Sequence, residues 1–168
     1  MQLKLSLFSL LAAVPALVSA ECFLANQLGA GPHAPETREQ LCKPQGAGDW
    51  TFSMRTSELV VPTFDSDYMW AGYVSGKNFI IYDNACIPRA KYGLDGNCGT
   101  PYVIRENFLP YVITVTHVNW NSAGPYFKFN YGNGQFMINE NQAVCRDIGG
   151  GLRVEKGCKT GFPLDGTV

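Results

Sequence analysis

From Trp50 onward, short runs of aromatic and β-branched residues alternate with Gly, Pro, Asn and Asp, the pattern of strands joined by turns. The runs predict strands near 50–55, 57–63, 68–74, 78–82, 101–105, 109–120, 125–131, 135–139, 143–148 and 152–156. In Phe108–Trp120, Leu109, Tyr111, Ile113 and Val115 share one face, and Val112, Val118 and Trp120 share the other. Apolar residues on both faces predict a central strand covered on both sides. Residues 125–139 alternate instead, and Asn133-Gly134 supplies a hairpin turn signal, because a type I′ turn needs positive φ at both central positions. Before Trp50 a polar opening punctuated by Gly and Pro leads into Pro35–Cys42, where a first-turn proline and Glu36 suit a helix N-terminus and Pro44 stops it. The expected fold is mainly β, an antiparallel β-sandwich or β-barrel with one short N-terminal helix.

Gly149-Gly150-Gly151 between charged residues invites a phosphate-loop reading. Neither the Walker spacing nor the dinucleotide fingerprint is met, and the residues that follow alternate as a strand does. A hairpin loop is the better reading, its glycines supplying free φ values. If Gly150 is the centre, Cys145 faces Glu155 and Cys158 falls three residues out of register. Either a bulge lies near Lys156-Gly157 or these two cysteines bond elsewhere.

Residues 1–20 combine Lys4, an apolar core from Leu5 to Leu17 and the small-residue end Val18-Ser19-Ala20, which predicts a secretory signal peptide. Pro15 and Ser19 interrupt the stretch, and spanning a bilayer takes about 20 apolar residues. The mature product, residues 21–168, is expected to be a single domain, extracellular and monomeric, with no membrane span. Without Lys4 it carries 12 basic and 14 acidic side chains, which argues against a nucleic-acid partner. The basic run Arg89-Ala90-Lys91 beside Pro88 reads as a solvated loop.

All six cysteines, Cys22, Cys42, Cys86, Cys98, Cys145 and Cys158, lie in the mature chain, and an even number in an exported protein predicts a disulfide framework. Pairing neighbours in sequence gives 22 with 42, 86 with 98 and 145 with 158. Zinc sites use close pairs such as Cys-x2-Cys, and neither His33 nor His117 lies near a cysteine. No metal or cofactor is expected. The tripeptide Asn84-Ala85-Cys86 is an atypical glycosylation sequence, and no Asn-x-Ser/Thr occurs.

Catalytic signals are thin. His33 sits in a Gly/Pro loop, and His117 lies on a strand, where an interior histidine satisfied by a hydrogen bond is the plainer expectation. Glu106, Glu140, Asp147 and Glu155, with Arg105, Arg146, Arg153 and His117, could build a small hydrolase of RNA or cell-wall polysaccharide, but no spacing joins them. No catalytic residue is therefore assigned. Aromatic residues are better binding candidates: Tyr68 and Trp70 alternate with Met69 and fall near Tyr73, Asp65 and Asp67. Tyr and Trp offer large rigid contact area with a polar tip. An aromatic content of 12% must nonetheless be largely buried in a chain this size.

The leader MQLKLSLFSLLAAVPALVSA, the six cysteines and the β-rich remainder together resemble fungal small secreted cysteine-rich proteins of the effector or elicitor type. The opening from Cys22 to Phe52, with a Pro-led helix, a second cysteine and then Gly-x-Trp, looks distantly like killer-toxin-like effector domains. The long β-rich remainder departs from their α/β-sandwich and is equally compatible with a β-barrel allergen-type fold. The resemblance implies a virulence-associated protein acting by binding in the plant apoplast and modulating host defence, with a host protein or a cell-wall glycan as partner. It carries over no site residue.

Overall fold

The computed structural model describes residues 21–28, 38–44, 46–65, 68–94, 98–138, 145–150 and 153–167, with backbone alone at 38–39, 59–65, 68–75 and 153. Residues 1–20, where a signal peptide is expected, and His33 lie outside the described residues. The chain is mainly β, with strands β1 (Cys22–Phe23), β2 (Asp49–Asp65), β3 (Tyr68–Tyr82), β4 (Pro88–Gly93), β5 (Tyr102–Ile104), β6 (Ile113–Asn119), β7 (Tyr126–Tyr131), β8 (Gly134–Met137), β9 (Arg146–Asp147) and β10 (Arg153–Pro163). They form two five-stranded sheets, in the orders β1-β5-β6-β7-β8 and β4-β3-β2-β10-β9. Among the described residues all pairs are antiparallel except β1 with β5.

Alternation along the strands sends large aromatics from both sheets into one core. Phe52 of β2 lies 5.3 Å from Phe79 of β3, and 5.4 and 4.9 Å from Phe127 and Phe129 of β7 in the other sheet, centroid to centroid. Each such ring contributes about 1.5–3 kcal/mol by leaving water, and the edge-to-face geometry of the pairs that cross between sheets adds directional preference. Hydrogen bonds reinforce the join. Thr56 donates to the Trp120 carbonyl at 3.1 Å, Tyr92 to Glu106 Oε1 at 2.8 Å and Tyr131 to the Leu164 carbonyl at 2.7 Å.

A second, smaller core covers the outer face of the β2–β3–β10 sheet. Leu41 and Cys42 pack on Ile80, Tyr82, Cys86 and Ile148. Buried hydroxyls on β2 hold this strap down, Ser53 donating to the Leu41 carbonyl and Thr51 to the Lys43 carbonyl. Lys159 Nζ donates to the Cys42 carbonyl at 2.9 Å. Gly157 makes room for the strap, since a Cβ there would come within 2.5 Å of Leu41. Of the helix expected at Pro35–Cys42, the described residues contain a single turn, Arg38–Leu41, too short to count as that helix.

All six cysteines are bridged, as 22 with 98, 42 with 86 and 145 with 158. The third pair follows sequence order, and the expected 22–42 and 86–98 pairs are corrected. Topology is the reason. Cys22 lies on β1, which pairs with β5 and so reaches the segment after Cys98, while Cys42 lies in the strap over β3, whose end leads to Cys86.

Several strand expectations change for local reasons. The runs at 50–55 and 57–63 are one strand, as are those at 68–74 and 78–82. The run Arg89-Ala90-Lys91 beside Pro88, expected to be a solvated loop, lies in edge strand β4: Ala90 and Tyr92 are buried, Arg89 is exposed, and proline is tolerated at the first residue of an edge. The free edge of β4 is covered by Asn26 and Gln27, whose side chains accept from the Lys91 and Gly93 amides.

The apparent two-faced apolar strand at 109–120 begins only at Ile113 and carries a bulge between Val115 and His117. The extra residue shifts the alternation, so Ile113 and Val115 before it, and Val118 after it, all join the core. His117 therefore points outward and is exposed, not interior. The 125–139 hairpin forms, but Tyr131 pairs with Gly134, so Gly132-Asn133 make the turn. Gly132 has φ +55°, the glycine-first arrangement of a type II′ turn. At the glycine run, Lys156 pairs with Asp147 and Gly157 with Arg146, which brings Cys145 opposite Cys158 without a bulge.

Candidate functional site

Tyr68, Trp70 and Tyr73 lie on β3 where only the backbone is described, so their side chains are outside the description. The backbone register is informative. β10 pairs with β2 only as far as Leu59, and β4 pairs with β3 only from Asn78. From Val60 opposite Tyr73 to Asp65 opposite Tyr68, β2 and β3 pair with each other alone among the described residues. Pro62 fits this placement, since a strand proline needs a side with no partner to receive its missing N–H. A two-stranded ribbon on its own is marginal in water, and residues 66–67, 95–97 and 151–152 at its borders lie outside the described residues.

A second feature lies at the opposite end of β2. A groove of about 390 Å³ runs between Asp49, Pro110 and the segment Pro163–Thr167. The volume falls within the range of small-ligand sites. Its walls are aliphatic at Pro110, Pro163 and Leu164, and its polar groups are the carboxylates of Asp49 and Asp165 and the Thr167 side chain.

The backbone here is pinned. Leu164 N donates to the Gly48 carbonyl at 2.8 Å, buried Tyr131 donates to the Leu164 carbonyl, and Asn133 N donates to the Gly166 carbonyl at 3.2 Å. A Cβ on Gly132 would approach Gly166 Cα to 2.6 Å, so the hairpin turn and the 164–167 turn are in direct contact. Thr167 donates through both its amide and its hydroxyl to Asp165 Oδ1, at 3.1 and 2.7 Å. The hydroxyl bond, then the amide bond, hold the Asp165 carboxyl below the usual carboxylate range, and the group is ionised at neutral pH. Among the described residues neither Asp49 nor Asp165 makes an ion pair. Nothing in the local sequence marked this groove, because Asp49, Pro110 and Pro163 each lie more than fifty residues from the next and meet only in the folded chain.

The residues considered for hydrolysis are tied to separate structural partners. Glu106 accepts from Tyr92, whose phenol is pushed far up by burial, then by the Glu106 hydrogen bond and charge. Glu155 pairs with Arg55, Asp147 with Lys156, and exposed His117 sits 3.1 Å from Thr116 Oγ1. The Arg105 guanidinium lies 5.8 Å from the centre of the exposed Phe23 ring. Arg146 sits opposite Gly157 on exposed β9. Glu140 is outside the described residues, and Arg153 is described in backbone alone. Among the described residues these candidates are not brought into one site: Asp147 and Glu155 are held by different partners, Lys156 and Arg55. Among the described residues no His/Cys/Asp/Glu group suits a metal ion, and no helix is long and apolar enough to cross a membrane. Comparison with protein-family models, curated proteins and solved structures returns no match.

Proposed function

We propose that the chain is an exported, disulfide-stapled β-sandwich that acts by binding, engaging a host protein at the plant cell surface or in the apoplast and modulating defence. The observation that supports binding is the ribbon of β2 and β3 between Val60 and Tyr73, which no third strand joins among the described residues. A ribbon of this kind gains stability when something packs on it, and its sequence holds Tyr68, Trp70 and Tyr73, residue types that dominate binding energy at protein interfaces. Three bridges suit an oxidising, extracellular setting. The sandwich reading is supported by rings of both sheets meeting in one core.

The test is infiltration of purified protein into leaves, comparing wild type with Tyr68→Ala, Trp70→Ala and Tyr73→Ala at matched thermal stability. A host response in wild type that falls in at least one variant is expected. No response to wild type counts against the effector reading, and a response unchanged in all three removes the ribbon aromatics from the contact. Pull-down on chitin or glucan that depends on Tyr68 or Trp70 replaces the host protein with a wall glycan as partner.

A further inference from the structure

The groove at the other end of β2 points to a second contact, independent of the ribbon. Its geometry constrains the occupant in three ways. Its volume, about 390 Å³, is much larger than a bare ion needs, and among the described residues no His/Cys/Asp/Glu group suits a metal ion. Its walls are the aliphatic rings of Pro110 and Pro163 and the side chain of Leu164, with no aromatic ring among them on which a sugar could stack. Its charge is negative: among the described residues, Asp49 and Asp165 lack ion-pair partners and no basic side chain lines the groove.

An occupant that matches all three has an apolar stem and a cationic head. We infer that the groove receives a lysine or arginine side chain of a protein partner, the methylene stem lying against Pro110, Pro163 and Leu164 and the charged head facing Asp49 and Asp165. Long basic side chains bury their stems along apolar surface while the charge stays solvated or paired, and the open, carboxylate-bearing groove suits that division. Both bonds from Thr167 go to Asp165 Oδ1, so Oδ2 remains able to accept from the incoming cation. The pinned backbone at Leu164 and Gly166 means that little ordering entropy is lost on binding.

The probes are the capped amino acids Nα-acetyl-lysine methylamide and Nα-acetyl-arginine methylamide, with the norleucine analogue as the uncharged control. Titrated into the ¹⁵N-labelled full chain, either basic probe is expected to shift the amides of Asp49, Leu164, Asp165 and Thr167 saturably in the millimolar range. Norleucine is expected to be about two- to fivefold weaker, as is lysine or arginine with Asp165→Asn, because an ion pair at an exposed carboxylate is worth about that factor. Asp49→Asn serves as the second variant, and raising NaCl should weaken both probes through screening. Equal shifts with norleucine, no shifts with either basic probe, or wild-type affinity in both Asn variants would overturn the inference. So would glucosamine shifting these amides when the basic probes do not. Because Asp49 and Asp65 stand at opposite ends of β2, the outcomes separate cleanly. Probe binding with a silent leaf assay removes the effector reading alone, and an active leaf response without probe binding removes the groove alone.

Discussion

Replacing Tyr92 by phenylalanine removes one oxygen from a ring with no solvent exposure and leaves its packing intact. That oxygen donates at 2.8 Å to Glu106 Oε1, so the bond ties edge strand β4 of one sheet to the segment after β5 of the other. A hydrogen bond to a charged group contributes about 1.5–3 kcal/mol. Glu106 is only half-buried and regains some water, so we expect Tyr92→Phe to cost about 2 kcal/mol at pH 7. For a chain this size that lowers Tm by about 4–8 °C.

The same bond makes stability depend on alkaline pH. Burial, the Glu106 hydrogen bond and the Glu106 charge all raise the Tyr92 phenol above its ordinary value of 10.0. A raised folded-state value means the contribution is fully present below pH 10 and lost above it, as the unfolded phenol ionises while the native one keeps its proton. Urea unfolding at pH 7, 10 and 11 without reductant therefore reads two things. The gap between wild type and Tyr92→Phe should be about 2 kcal/mol at pH 7 and should shrink at pH 11. A gap under about 0.5 kcal/mol at pH 7, the size of an unremarkable surface substitution, or a gap constant through pH 11, would refute the reasoning. Glu106→Gln, which keeps an acceptor but loses the charge, should destabilise by less. If the same variant instead abolished turnover of RNA or glycan while folding normally, Glu106 would be catalytic and its bond to Tyr92 incidental.

Loop length orders the bridges: replacing both cysteines by alanine should cost about 4.5 kcal/mol for 22–98, about 4 for 42–86 and about 3 for 145–158. Peptide mapping without reduction checks the pairing, and denaturant midpoints check the order. Leu41→Ala empties a fully buried position in the outer core and should cost about 2–5 kcal/mol in urea unfolding. Gly166→Ala meets both a φ of +70° and the Tyr111 ring at 2.7 Å, so thermal unfolding should show a loss greater than the roughly 1 kcal/mol of a typical substitution.

The mainly β character was legible because alternation is a local signal, readable in 126–131 without knowing any partner strand. What the sequence concealed depends on partners distant along the chain. The bulge at Thr116 turns a strand that looks apolar on both faces into one with a single covered face, and no residue type there announces it. β4 was hidden by Pro88 and two basic residues, although its alternation of Ala90 and Tyr92 with Arg89 and Lys91 is plain once an edge position is allowed. Counting from Gly150 misplaced the last hairpin, since three consecutive glycines leave the centre of a loop undefined, and only the pairing of Asp147 with Lys156 settles it. The ribbon residues were singled out by type from the sequence. The groove was not, because it is assembled from Asp49, Pro110 and Asp165, none of which stands out beside its neighbours.

The 42–86 bridge is nested inside the 22–98 bridge. On the proposed export route, with the chain entering an oxidising compartment N-terminus first, the thiols of Cys22 and Cys42 would meet before either correct mate has emerged. The earliest bond available on that route would be a wrong one, to be undone by thiol–disulfide exchange before the sulfur atoms reach their final arrangement. Recombinant material made where oxidation is fast and isomerase is scarce should accumulate the 22–42 species, a by-product that non-reducing peptide mass mapping would reveal.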